Sequence, residues 1–407
     1  MYYHRTVEPY ILEAAQQFRV ILITGPRQAG KTTLLQHLCE PDRRYVTLDD
    51  PNLRLLATDD PALFMQQFPP PLLIDEIQYA PQLLPYIKMS VDTHQQPGAY
   101  WLTGSQQFAM MQGVTESLAG RVAIINLLGF SPGESSQQPA YTQAFLPTQD
   151  YFASRQPCLR SYSLQEVFHE IWLGSFPALV SGQVRNHQLF YSSYLQTYLE
   201  RDVRALSQVG DLEAFLRFLK ACAARTAQML NLTDLARDTD ISVPTAKAWL
   251  SILVASSQVF LLRPYHSNIT KRLIKTPKLY FLDTGLCAYL TDWSSPETLA
   301  SGAMRGAIFE TFVVSCILKS WWHTLREPNA YYYRDKDKKE IDLVFEQDHR
   351  LHPLEIKLGA TVKREWIKIF PVLQKLGKEI GAGGVLCLIP ERLPISRTDQ
   401  AIPVSFL

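Results

Sequence analysis

A predominance of one charge sign is missing from this chain: 40 Lys and Arg face 39 Asp and Glu, a formal net charge of +1 over 407 residues. That balance excludes a uniformly basic nucleic-acid binder and leaves room only for a local basic face. Paired cysteines are missing as well. The six cysteines (Cys39, Cys158, Cys222, Cys287, Cys316, Cys387) stand singly among apolar neighbours, without C-x-x-C spacing. This argues against a disulfide scaffold and suits small buried hydrophobes in a reducing compartment. No run approaches the roughly 18 apolar residues of a membrane span, and Met1-Tyr2-Tyr3-His4-Arg5 lacks a signal-peptide core, so the expected location is cytoplasmic.

What is present is a globular composition, 46% hydrophobic and 19% charged. The length exceeds one ordinary core, so roughly two to four domains are expected. Early in the chain the apolar run Arg19-Val20-Ile21-Leu22-Ile23 reads as a buried strand and Leu34-Leu35-Gln36-His37-Leu38 as the first turns of a helix. Between them lies Gly25-Pro26-Arg27-Gln28-Ala29-Gly30-Lys31-Thr32, followed by Thr33. Strand, glycine loop and helix in this order make a cradle of backbone N–H groups for a polyphosphate. Lys31 would reach the β- and γ-phosphates, and the Thr32 hydroxyl would ligate Mg²⁺.

Downstream, the strand Leu72-Leu73-Ile74-Asp75-Glu76 ends in two carboxylates. Asp75 is expected to hold Mg²⁺ and Glu76 to orient and deprotonate the attacking water. A further apolar strand, Ala99-Tyr100-Trp101-Leu102, ends in Thr103-Gly104-Ser105, where Thr103 and Ser105 are candidates for sensing the γ-phosphate. Arg121, in Leu118-Ala119-Gly120-Arg121-Val122, is a candidate charge stabiliser, placed to serve a neighbouring subunit in a homo-oligomer. A helix over residues 7 to 18 is expected to pack on this sheet.

Taken together, the glycine loop, Leu-Ile-Asp-Glu, Leu-Thr-Gly-Ser and Leu-Ala-Gly-Arg-Val resemble the N-terminal half of a prokaryotic AAA-type P-loop ATPase family whose C-terminal part is a domain of unknown function. The resemblance implies ATP binding and hydrolysis with Mg²⁺. For a second sensor arginine, Arg201 is the one candidate, in Tyr198-Leu199-Glu200-Arg201-Asp202.

The expected fold is α/β throughout: a parallel-sheet ATPase core over 1–135, a linker and helical lid over 136–210, a winged helix-turn-helix over 211–285, and a restriction-endonuclease-like α/β domain over 300–407. The lid carries a tyrosine stripe, Tyr191, Tyr194 and Tyr198, read as core. In the third segment Leu232 to Leu250 fits two short helices joined by a turn, with Ser242 as N-cap and Pro244 in the first turn. Two strands around a hairpin rich in positive charge (Arg263, Lys271, Arg272, Lys275, Lys278) make a wing that, with Thr245, Lys247 and Ser251, suits DNA phosphate contacts. In the last segment, strand alternation places Glu355 and Lys357 on one face, with Asp342 on a partner strand and Glu310 on a helix. An acid on a helix, an Asp and Glu-x-Lys form the pattern of nuclease-like folds, in which such acids bind Mg²⁺ to aid attack on a phosphodiester. A helix carrying Trp366, Phe370 and Leu373 and a strand through Val385 to Ile389 are expected to complete that domain. A different class of function is a nucleotide-dependent switch acting on protein partners, with an inactive nuclease-like half.

Overall fold

The structure is a computed structural model of the chain, describing all residues except 105–112, 115, 140–141, 155–161, 200–202, 204–210 and 267–275. It divides into two compact units: Met1–Phe130 with the short pieces Ala255–Ser257 and His323–Leu325, and the rest of the chain.

The first unit is a parallel sheet of five strands with helices on both faces. Its elements are α1 (Glu8–Gln17), β1 (Val20–Thr24), α2 (Lys31–Leu38), β2 (Arg44–Thr47), α3 (Pro51–Asp59), α4 (Pro61–Gln67), β3 (Leu72–Asp75), α5 (Leu83–His94), β4 (Tyr100–Thr103) and β5 (Val122–Asn126). Strand order is β2-β3-β4-β1-β5, and every pairing is parallel. Alternation along the strands sends Val20, Leu22, Leu72, Ile74 and Leu102 to one face, against Phe64, Leu84, Ile87 and Val91. Ile21, Ile23, Leu73, Trp101 and Ile125 go to the other, against Ile11, Ala14, Leu34 and Leu35. Both faces are covered, so β1, β3 and β4 are buried at every position, as their unbroken apolar runs require. The helical stretch after β2 is two helices, because Asp60 caps the second by accepting from the Leu63 N–H and Pro61 cannot continue the first.

The second unit is mixed α/β. The buried tyrosines of His187–Tyr198 are core, as expected; Tyr191 OH donates to Asp283 Oδ1 at 2.8 Å. Asp283 Oδ2 accepts from both the N–H and the hydroxyl of Ser175, each at 2.7 Å. Two helices, Leu232–Asp238 and Val243–Ala255, stand at the expected helix-turn-helix. They lie in the chain between β6 (Gln228–Met229) and β7 (Val259–Leu262), which with β8 (Lys278–Phe281) form a three-stranded sheet ordered β6-β8-β7. The tip of the expected wing, with Lys271, Arg272 and Lys275, lies outside the described residues.

The last sheet is built from β9 (Ala330–Arg334), β10 (Glu340–Gln347), β11 (Arg350–Ile356), β12 (Glu379–Ile380), β13 (Gly383–Cys387), β14 (Leu393–Pro394) and β15 (Asp399–Pro403). Its order is β14-β15-β13-β11-β10-β9, with β12 on β11. One expectation fails: Trp366, Phe370 and Leu373 lie on two short 3₁₀ segments, Arg364–Ile367 and Phe370–Leu376, not on an α-helix. Pro371 lacks an N–H and disfavours α-helical backbone at Phe370.

Candidate functional site

The loop after β1 is shaped by backbone that few residues tolerate. Gly25 has φ +137°, Gln28 +60° and Gly30 +90°. A Cβ on Gly25 would lie 2.0 Å from the Leu127 carbonyl oxygen, so glycine is required there by space as well as by torsion. Gly30 is the N-cap of α2 and offers no side-chain cap. The first turn, Lys31, Thr32 and Thr33, therefore presents backbone N–H groups and the positive end of the helix dipole beside the loop.

Within the loop, Pro26, Arg27, Gln28 and Ala29 complete the turn. Its outer side is held by a residue that motif reading passes over: Arg5, buried, donates from Nη1 to Ala29 O at 3.0 Å and from Nη2 to Leu128 O at 2.8 Å. Lys31 is itself buried and donates from Nζ to Gly25 O at 3.1 Å and Pro26 O at 2.9 Å. The ammonium thus sits on the loop it is expected to serve.

Strand order brings the other groups to this point. β4 lies between β1 and β3, so the C-terminal end of β4 stands beside Asp75 at the end of β3. Asp75, 5% exposed, is ringed by hydroxyls. Oδ1 accepts from Thr32 Oγ1 at 2.6 Å and from Thr103 Oγ1 at 2.5 Å; Oδ2 accepts from Tyr45 OH at 3.2 Å and Thr47 Oγ1 at 3.4 Å. Burial and the Asp75 charge push the Tyr45 phenol up to about 12, which keeps it a donor. Tyr45 and Thr47 carry no motif; only the β2–β3 register, which pairs Thr47 with Asp75, reveals them. Glu76 follows in left-handed backbone, φ +61° and ψ +46°, unusual for a side chain of this size and the kind of local strain found at functional sites. Its N–H donates to Thr103 Oγ1 at 3.1 Å, and Gln78 Nε2 donates to its Oε2.

Of the remaining candidates, Ser105 and Arg201 lie outside the described residues. Arg121 forms a two-pronged pair with Asp92, Nε to Oδ1 at 2.5 Å and Nη2 to Oδ2 at 2.9 Å.

In the second unit the structure brings together Asp342, Glu355 and Lys357. Lys357 Nζ donates to Asp342 Oδ2 at 3.2 Å and pairs with Glu355 Oε2. Asp342 Oδ2 also accepts the Ile356 N–H at 2.8 Å. Burial, reinforced by the Asp342 charge, pushes the Glu355 carboxyl up to about 8, and its Oε1 is buried without a hydrogen-bond partner. Burial pulls the Lys357 ammonium down, but the charges of Asp342 and Glu355 outweigh it and hold the group above its ordinary value.

Glu310 belongs to a neighbouring cluster. It accepts from Tyr280 OH at 2.6 Å and Lys278 Nζ at 3.2 Å, and Lys278 also pairs with Glu340 at 2.6 Å. Burial and then Asp342 raise the Glu310 carboxyl against the pull of Lys278. Glu310, Asp342 and Glu355 do not bring three ligand atoms within 4.8 Å of one another. Lys278, expected on the basic wing, is 4% exposed and ion-paired on both sides, so it is not a phosphate contact. Its charge was legible in the sequence; its two acidic partners, 32 and 62 residues away, were not.

Comparison with known proteins agrees with the first unit. Residues 17–136 match the family described as AAA domain, so this part of the chain is an ATPase-like P-loop domain. Residues 164–297 and 305–407 match two families described as domains of unknown function, DUF8612 and DUF4143. Over 390 residues the chain is 28% identical to an uncharacterized protein of Mycobacterium tuberculosis (strain ATCC 25618 / H37Rv), covering 94% of this chain and 80% of that one. The same figures hold for an uncharacterized protein of Mycobacterium bovis. Among solved structures, a Walker-type ATPase of Pyrococcus abyssi is similar at 16% identity and a TM-score of 0.43, over 71% of this chain and 96% of that chain. No helix among the described residues is long and apolar enough to cross a membrane.

Proposed function

We propose that the chain hydrolyses ATP at the loop Gly25–Thr32 and that its nucleotide state governs a nucleic-acid-binding C-terminal half. One observation carries the first part: Asp75, Thr32 and Thr103, from three separate elements, meet through hydrogen bonds of 2.5 and 2.6 Å at the end of the glycine loop. Thr32 and Asp75 offer only hard oxygen ligands, the donor set that suits Mg²⁺, and these two residues would hold it. When bound, the ion neutralises charge on the β- and γ-phosphate oxygens. Loop N–H groups and Lys31 hold the triphosphate, and Lys31 exchanges its contacts with Gly25 O and Pro26 O for phosphate oxygens. Glu76 orients the attacking water and takes its proton, its backbone fixed by Thr103 and its carboxylate by Gln78.

ATP turnover by the full chain, by Lys31→Ala and by Glu76→Gln tests this. Lys31→Ala should lose both binding and turnover; Glu76→Gln should bind ATP and fail to hydrolyse it. Equal rates in all three would overturn the proposal.

For the C-terminal half, the exposed Lys247 and Ser251 on the second helix of the helix-turn-helix support contact with DNA backbone. The pairing of Lys357 with both Asp342 and Glu355 favours a second reading, in which the nuclease-like fold does not cut and serves protein partners. Labelled duplex DNA shifted by the full chain at low salt, and not by Lys247→Glu, supports the first. Absence of any shift with or without ATP supports the second. Mg²⁺-dependent nicking abolished by Asp342→Ala would add cleavage.

A further inference from the structure

Among the described residues, one set of three His, Cys, Asp or Glu side chains brings its ligand atoms within 4.8 Å of one another: His4, Glu8 and His37. We propose that these three form a zinc-class transition-metal site on the N-terminal unit, separate from the phosphate site. Two imidazoles and one carboxylate are the donor set of sites that bind zinc with a water in the fourth position. The nitrogen donors favour late divalent metals over Mg²⁺ and Ca²⁺, whose ligands are oxygens.

The ligands are oriented by groups around them. Glu8 Oε1 is occupied by two donors, Tyr2 OH at 2.9 Å and the Arg5 N–H at 2.6 Å, which leaves Oε2 facing His4 Nδ1 at 3.1 Å. The Tyr2 ring stacks on His37 at 3.7 Å and 21° and meets His4 edge-on at 5.3 Å. The two imidazoles stand 5.5 Å apart, centroid to centroid. A tetrahedral zinc with bonds of about 2.0–2.1 Å needs its ligand atoms roughly 3.4 Å apart. His4 and His37 are exposed, so rotation of their side chains can close the difference. Such outer partners, here Tyr2 and the Arg5 N–H, are what hold metal ligands in register.

Placement makes the site consequential. His37 is in the last turn of α2, the helix that begins at Lys31, whereas His4 precedes α1 and Glu8 is its first residue. A metal here ties the segment carrying Arg5 to the phosphate-loop helix. Arg5 already grips that loop through Ala29 O, so metal occupancy stiffens the loop from outside.

The test uses the full chain, stripped with a chelator and titrated with zinc sulfate, without nucleotide, against a chromogenic zinc indicator. One equivalent of zinc should bind saturably, undiminished by millimolar Mg²⁺, and should raise the thermal unfolding midpoint. His4→Ala and His37→Ala should each weaken binding at least tenfold and abolish the midpoint rise, while unfolding like the parent without zinc. His94→Ala, an exposed histidine at the end of α5, should bind as the parent does. No stoichiometric zinc uptake, or uptake that survives both His4→Ala and His37→Ala, would overturn the proposal.

Discussion

Thr103→Val removes one hydroxyl from the junction of β3, β4 and the phosphate loop while keeping the branched shape. The residue is fully buried, and its oxygen has two tasks: it donates to Asp75 Oδ1 at 2.5 Å and accepts the Glu76 N–H at 3.1 Å. An N–H left unpaired away from water costs about 1–3 kcal/mol, and a lost hydrogen bond to a charged group about 1.5–3 kcal/mol. Burying a methyl in place of the hydroxyl returns roughly 1 kcal/mol. The net loss is roughly 3 kcal/mol, which in a unit of this size lowers its unfolding midpoint by about 10 °C. The functional effect is separate. Glu76 sits in left-handed backbone that must be held in place, and without its anchor the carboxylate loses its aim. If Glu76 is the base proposed above, its displacement costs on the order of 10²-fold in kcat, and because Asp75 loses a donor as well, the KM for ATP should rise too. Thermal melts and steady-state phosphate release measure the two effects, and Thr103→Ser, which keeps the hydroxyl, should recover most of both. If Thr103→Val melts with the parent and turns over at its rate, the hydroxyl is not what ties the acidic end of β3 to β4.

Three other perturbations follow from the charge clusters. Lys278→Met should destabilise the second unit by about 3–5 kcal/mol in denaturant unfolding, because it strips the compensating charge from Glu310 and Glu340; adding Glu310→Gln should restore part of that loss. Glu355 binds its proton more tightly in the fold, up to about 8, than in the unfolded chain, where its ordinary value is 4.5. Its contribution to stability is therefore lost as pH rises between those values, and Glu355→Gln should flatten the fall in unfolding midpoint between pH 5.5 and 8.5; an unchanged slope would refute the burial assignment. Arg121→Ala should cut ATP turnover by on the order of 10³-fold if the arginine acts across a subunit boundary, whereas Asp92→Ala, which frees it, should not; equal modest effects would make the pair purely structural.

The glycine loop, the acidic strand end and the two helices Leu232–Asp238 and Val243–Ala255 were all legible in the sequence. Each is a local pattern: torsions that only glycine tolerates, apolar runs that must be covered on both faces, and helix caps within a turn of what they cap. The resemblance to AAA-type ATPases rested on the same local strings, and residues 17–136 match the AAA domain family. What tertiary structure alone decided is which distant side chains meet. Thr32 and Asp75 are 43 residues apart, Asp75 and Thr103 are 28, and the strand order β2-β3-β4-β1-β5 makes them neighbours. Arg5 and Tyr45 have no spacing to betray them, because their partners lie on other elements. Lys278 reads as a surface cation in any pattern, yet the fold buries it between Glu310 and Glu340. The sequence by itself determined the local chemistry on offer, since torsion, capping and apolar alternation act within a few residues. Only the tertiary structure decided which charges are neutralised and which hydroxyls surround Asp75, since Coulomb interactions and hydrogen bonds act across space without regard to separation along the chain.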